Sequence, residues 1–259
     1  MSVDFNKEAF DIFISAGQSN CMGHGWGPTA EPHVPGDSIW FMNHDLIPVI
    51  AEETVNNNLP PYITRYTDIN KSGNFTLSFA RKYMEEGLLQ PGRKILITRT
   101  DAGTEWGEGK KSYLLLLEMV KAALALNPKN RLVVFLWHQG ESSVLTDKHT
   151  YEQHYRILMS VVNAVRDTFH VPELPFLAGQ FVYEWEKVYY PEISSPVARA
   201  VRDVIVDIPF GGYVESYGLL SNAEAFGDLE GDHIHFCRDA LYKLGRRYFD
   251  VFKRIVDAS

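Results

Sequence analysis

Apolar positions along this chain come in two patterns that alternate. AFDIFISA, KILITRT, RLVVFLWH and LPFLAGQF are short, nearly continuous apolar runs, rich in β-branched and aromatic residues and bounded by polar turn formers. Such runs read as buried strands. Between them the apolar residues take helical spacing. FTLSFARKYMEEG sets Phe75, Phe79 and Met84 near one face and stops at Gly87. SYLLLLEMVKAALAL reads as a helix, and so does DKHTYEQHYRILMSVVNAVRDTF, with Asp147 as its N-cap. A further helix is expected over 193–206, a short strand within GGYVESYG, and an amphipathic helix over FCRDALYKLGRRYFDVFKRIV. Residues 24–72, rich in Pro, Gly and Asn, read as a long and mostly irregular excursion. Strands alternating with helices predict an α/β fold, with a parallel sheet covered on both faces. With no repeat or linker-like stretch, residues 1–259 are expected to form one domain.

Composition narrows the classes. A folded chain of 259 residues buries roughly 75% of its unfolded surface, enough for a core without staples. The formal net charge of −8 argues against a nucleic-acid partner, whose phosphates must be neutralised on binding. Cys21 and Cys237 are too few for a disulfide framework or a cysteine zinc site and read as buried thiols. No apolar run approaches the ~20 residues that span a bilayer, so no membrane partner is expected. MSVDFNKEAF has no apolar stretch behind a basic region, so the expected location is cytoplasmic unless the chain is processed or exported by another route.

Candidate chemistry gathers where the strands end. In open parallel sheets ligands bind outside the carboxyl ends of the strands. AFDIFISA runs into GQSN, KILITRT into DAGTEWGEG and RLVVFLWH into QGESS. Ser19, Gly103 and Gln139 should therefore emerge on one rim. Near the C-terminus, GDHIHF sets Asp232 and His235 three apart, so the carboxylate can hold imidazole Nδ1–H while Nε2 faces a hydroxyl. These are the parts of acyl transfer. A serine needs a base, the base needs an orienting group, and a developing oxyanion needs fixed N–H donors. Ser19, His235 and Asp232 fill the first roles. The Ser19 and Gly103 N–H groups and the Gln139 amide can fill the last. G-x-S-x-G is absent, because Cys21 stands at its final glycine, which counts against an α/β-hydrolase.

GQSN, GTEW, WHQGES and DHIHF, in this order, resemble the SGNH-type hydrolases, and within them the sialate O-acetylesterase-like group that includes carbohydrate esterase family 6. LSFARKY is similar to that group's helix before its second block. The resemblance runs from about residue 10 to residue 250. It implies a flavodoxin-like three-layer α/β/α fold and a metal-independent esterase, without a cofactor, that removes acetyl groups from sugars. Carried over by position, it makes Ser19 the nucleophile, Gly103 and Gln139 oxyanion donors, and Asp232 and His235 the rest of the triad. The chain departs from the group's pattern at Ala102, where a second glycine is frequent, in the shorter gap before Trp106, and at Ser143, where an acidic residue is frequent.

Other readings stay open. Ser19 can be a helix cap. Asp232, His233 and His235 can be metal ligands of a metal-dependent hydrolase. The chain can be a non-catalytic carbohydrate-binding protein on an esterase fold. Gln18, Trp106 and Glu141 are the candidates for substrate contact, with Glu141 also a general acid or base and Trp106 also core. His24, in GHGWGP, is expected to line a loop. The esterase reading predicts Ser19 within reach of His235, a preference for short acyl chains, and activity that rises with pH as the histidine becomes neutral.

Overall fold

The structure is a computed structural model that describes residues 5, 7–55, 71–101, 105–146, 149–191, 194–227 and 231–258. In chain order the elements are β1 (Ala9–Gly17), α1 (Ser19–Met22), β2 (Ile39–Met42), β3 (Pro48–Ile50), β4 (Thr54–Val55), β5 (Lys71–Ser72), α2 (Phe75–Glu85), β6 (Arg93–Asp101) and α3 (Lys111–Ala125). There follow β7 (Arg131–His138), α4 (Glu141–Leu145), α5 (Tyr151–Phe169), β8 (Phe176–Gly179), α6 (Tyr183–Tyr189), α7 (Pro196–Asp207), β9 (Gly211–Val214), α8 (Asn222–Phe226) and α9 (Arg238–Asp257).

A seven-stranded sheet runs β3-β2-β6-β1-β7-β8-β9. β1 is central and buried along its whole length. Its alternate residues face opposite layers, as a strand's period of two requires. Phe13 packs among side chains of α2 and α9. Ile14 and Ala16 pack among those of α3, α5 and α7. This is the expected three-layer α/β/α sandwich. Taken alone, β6-β1-β7-β8-β9 has the flavodoxin-like order 2-1-3-4-5, whose switch point lies beside the first strand.

The expectation of a wholly parallel sheet needs correction. β2 joins β6 in parallel, but β3 runs antiparallel to β2. The excursion over 24–72 thus supplies two strands to the main sheet and a small β4–β5 pair. The reversal is local: Asn43 Oδ1 accepts from the N–H groups of Asp45 (3.0 Å) and Ile47 (2.8 Å), and Leu46 takes a positive φ of 60°. A side chain that replaces backbone acceptors in this way closes a tight turn. The same excursion is fastened to α9, where Glu53 receives Arg238 Nε (2.9 Å) and Nη2 (2.6 Å) and the Tyr242 hydroxyl, all buried.

Two helix starts also differ. α5 begins at Tyr151, capped by Thr150, whose hydroxyl and Gln153 form a capping box; Asp147 lies outside the described residues. α7 begins at Pro196, with Ser195 accepting from Ala198 N–H (3.1 Å), the position at which proline's missing donor costs nothing. Among the described residues no helix is long and apolar enough to cross a membrane.

At the amino end of the sheet the buried Asp11 accepts from Arg93 Nε (2.6 Å), Arg131 Nε (2.7 Å) and Nη2 (3.0 Å), and the Tyr83 hydroxyl (2.9 Å). Burial alone would raise its pKa. The bonds from Arg131, Arg93 and Tyr83 outweigh burial and hold the carboxyl below the usual carboxylate range. One side chain of β1 thereby clasps β6, β7 and α2.

Candidate active site

The carboxyl rim is built by register. Gly17 of β1 pairs with Asp101 of β6 on one side and His138 of β7 on the other. The three strands end together, so the residues that follow them share one edge. Gly17 must be a glycine, because a Cβ there would run into the His138 carbonyl and the Cys21 side chain. Gln18 N–H then donates to His138 O (3.0 Å), and the chain turns directly into α1 with Ser19 as its first residue. Gly23, at φ 92°, ends this single turn.

His235 reaches the serine from the other end of the sequence. Its Nε2 lies 2.7 Å from Ser19 Oγ. Its Nδ1 lies 2.9 and 2.8 Å from the two Asp232 oxygens, and its backbone N–H donates to Asp232 Oδ1 (3.1 Å). With the carboxylate ionised, Nδ1 carries the proton and Nε2 is left as an acceptor. Burial would raise the Asp232 pKa. The bonds from His235 and Asn222 outweigh it, so the carboxyl sits below its ordinary value. The 232–236 loop is held by the start of α8, where Asn222 N–H donates to His235 O and Ala223 N–H to Asp232 O, each at 2.9 Å.

Asn222 escaped the sequence reading. Its Nδ2 donates to Asp232 Oδ2 (2.9 Å) and His24 O (2.9 Å), while its Oδ1 accepts from Trp26 N–H (2.9 Å). It ties the Asp232 carboxylate to the segment that follows Ser19 and α1. His24 does more than line a loop: it is exposed, with its ring centroid 5.2 Å from that of His235.

The three candidates for substrate contact are placed differently from the expectation. Trp106 is only 2% exposed; its ring meets Trp137 edge-on at 4.8 Å, and Nε1–H donates to Gly17 O (3.2 Å). It supports the turn between β1 and Ser19 from beneath. Gln18 is buried, and its Oε1 accepts from Gly140 N–H (3.3 Å) and Ser142 N–H (3.4 Å), joining the turns after β1 and β7. Glu141 is fully buried, 3.4 Å from His138 Nε2 and 2.8 Å from Asn20 Nδ2. Burial would raise its pKa, yet His138 and Asn20 hold it low. Trp106 and Gln18 turn inward to backbone groups of the rim that need partners, and Glu141 turns inward to the side chains of Asn20 and His138.

Gln139 lies one residue beyond β7, buried, with Nε2 3.4 Å from Ser143 Oγ. Gly103, like Ala102 and Thr104, lies outside the described residues. Among the described residues no three His, Cys, Asp or Glu side chains are grouped to hold a metal ion. Cys21 and Cys237 are buried and not disulfide-bonded, and burial pushes the Cys237 thiol up to about 11.

The sheet order and the Ser19–His235–Asp232 line define a three-layer α/β sandwich with a hydrogen-bonded serine at its switch-point rim. The chain belongs to the family described as carbohydrate esterase, sialic acid-specific acetylesterase, whose pattern matches residues 9–254. Over 111 residues it is 23% identical to a probable 9-O-acetyl-N-acetylneuraminic acid deacetylase of Escherichia coli (strain K12), a match covering 40% of this chain and 34% of that protein. The crystal structure of NanS superposes with a TM-score of 0.77 at 18% identity, covering 98% of this chain and 99% of the other. An Arabidopsis thaliana protein superposes with a TM-score of 0.66 at 18% identity, covering 95% and 98%. These two likenesses are of fold.

Proposed function

We propose that this protein is a serine esterase that removes O-acetyl groups from an acetylated carbohydrate, with an O-acetylated sialic acid as its substrate class. The observation that carries the reading is the 2.7 Å approach of His235 Nε2 to Ser19 Oγ, with Nδ1 held on Asp232 at 2.8 Å. The sugar follows from the family and from the E. coli relative's description.

In this mechanism His235 takes the Ser19 proton as Oγ attacks the acetyl carbonyl. The carbonyl oxygen gains the charge. The Ser19 N–H is the first of its helix, and helix geometry gives it no internal acceptor. It donates to the oxyanion together with the Gln139 amide and, as the resemblance implies, the Gly103 N–H. Asp232 steadies the imidazolium. His235 then protonates the departing sugar hydroxyl, leaving an acetyl-enzyme. Water, deprotonated by the same histidine, attacks that ester, and as the acyl–Oγ bond breaks His235 returns the proton to Ser19 Oγ and acetate leaves.

The test is acetate release from 9-O-acetyl-N-acetylneuraminic acid beside O-acetylated xylan and simple acetate esters. Ser19→Ala should abolish release from every substrate hydrolysed. Unchanged turnover in that variant would overturn the nucleophile, and hydrolysis of the xylan or simple esters without the sialic acid would overturn the substrate class.

A further inference from the structure

The nucleophile and the base are joined by a second, buried connection. Asn20, the residue after Ser19, is fully buried. Its Oδ1 accepts from Phe236 N–H (3.1 Å), and its Nδ2 donates to Ile234 O (3.0 Å). These groups flank His235 on both sides. The remaining Nδ2–H goes to Glu141 Oε1 at 2.8 Å. Both N–H donors and one lone pair of the amide are thus used, and each bond fixes something different: two hold the backbone on either side of the base, and one anchors the amide to a fixed carboxylate.

The anchor also sets which way the amide faces. Glu141 is acceptor-only when ionised, so the NH₂ end must point towards it and the oxygen must point towards Phe236 N–H. A flipped amide would oppose oxygen to oxygen at Glu141 and donor to donor at Phe236. Glu141 itself is the first residue of α4, directly behind the Gly140 turn that Gln18 grips. Gly140, at φ 147°, packs against the Phe181 ring with no room for a Cβ.

From this geometry we infer that Asn20 is a positioning residue: oriented by Glu141, it clamps the peptide groups on both sides of His235 and so sets the imidazole against Ser19. The inference rests on the esterase reading of Ser19 and His235. Asn20 touches no reacting atom. Its effect passes through the place of His235, and a displacement of about 1 Å in a catalytic group costs on the order of 10² in rate.

The test is a double-mutant cycle on acetate-ester hydrolysis, with thermal unfolding recorded for each variant. Asn20→Ala should lower kcat on the order of 10²-fold and leave KM within about twofold. In a His235→Ala background the same change should alter the residual rate by less than about twofold, because no base remains to misplace. Equal losses in both backgrounds, or an unchanged kcat in Asn20→Ala, would overturn the inference. Full activity in His235→Ala would instead overturn the esterase reading beneath it. Asn20→Asp is the second variant, since it keeps the shape and the bond from Phe236 N–H but sets a carboxylate oxygen against both Glu141 and Ile234 O, of which only the Glu141 clash can be relieved by a second substitution. Adding Glu141→Gln restores a donor facing an acceptor and should recover kcat by about tenfold or more. If Asn20→Ala does not fold, an absence of that recovery overturns the inference alone.

Discussion

Asp232→Asn tests whether the carboxylate does more than fill space, and the structure gives the size of the effect. Asp232 only accepts: from His235 Nδ1, from His235 N–H and from Asn222 Nδ2. An amide must turn its NH₂ towards one of the last two. Facing the His235 N–H, it meets a donor that cannot reverse. Facing Asn222, it meets an amide that cannot flip without losing Trp26 N–H and His24 O. Either way one charge-assisted bond becomes a clash, at about 1.5–3 kcal/mol. Because Nδ1 lies 2.9 and 2.8 Å from the two oxygens, the new NH₂ faces it in either orientation, which favours the tautomer with Nε2 protonated and unable to take the Ser19 proton. The imidazolium further loses its counter-charge. At ~4 Å and an effective dielectric of 20–40, suited to a pair this partly exposed, that removes about 2–4 kcal/mol. Together the terms reach roughly 3.5–7 kcal/mol, or about 400-fold to 10⁵-fold in kcat. The assay is steady-state hydrolysis of p-nitrophenyl acetate, with thermal unfolding as the control for folding. Retention of a tenth or more of wild-type kcat in Asp232→Asn would refute the reasoning.

Two further outcomes follow from other parts of the structure. Gln139→Ala should lower kcat and kcat/KM together by about 10² to 10³ with KM nearly unchanged, and Gln139→Glu should be at least as harmful because a carboxylate repels an oxyanion; a rise in KM alone would move Gln139 to substrate binding. Asp11→Asn leaves Arg93 with no counter-charge and should cost about 3 kcal/mol, the low end for a broken buried pair because Arg131 is 44% exposed. At 2–4 °C per kcal/mol that is a melting temperature lower by about 6–12 °C, with kcat per folded molecule unchanged. Because the Asp11 pKa is lower folded than unfolded, its contribution is complete above the unfolded value of about 3.9 and fades as pH falls through the folded one. The stability gap between wild type and variant should close on acidification in that window.

The main strands and helices were legible in the sequence because each carries its own period over many residues. β1, β6 and β7 each hold a short, largely apolar run, and α5 and α9 hold one apolar face throughout. β2 and β3 were not legible, since four and three residues among prolines and asparagines show no period, and the direction of β3 depends on the Asn43 turn. Within the site, Asp232 and His235 could be paired on paper because three positions separate them. Ser19 could be brought to them only through the strand-end argument. The directions of Gln18, Trp106 and Glu141 could not be read. A residue just past a strand end is equally free to face the crevice or the packed turns beneath it, and the hydrogen-bonding needs of Gly17, Gly140 and Asn20 settle which. Asn222 left no trace because its three partners come from two distant segments and no motif spans them.

Ser19 and His235 stand 216 positions apart, and this separation bears on how the protein comes into being. Translation delivers about 5–20 residues per second, so the serine leaves the synthetic machinery roughly 10–40 s before the histidine that would activate it. On the proposed mechanism, the nascent chain carries for that interval an ordinary alcohol with no base to activate it. A chain cut short before residue 232 stays in that condition permanently. On the proposed mechanism hydrolysis switches on only when the loop bearing His235 docks beside Ser19, and its appearance reports that step without any added probe.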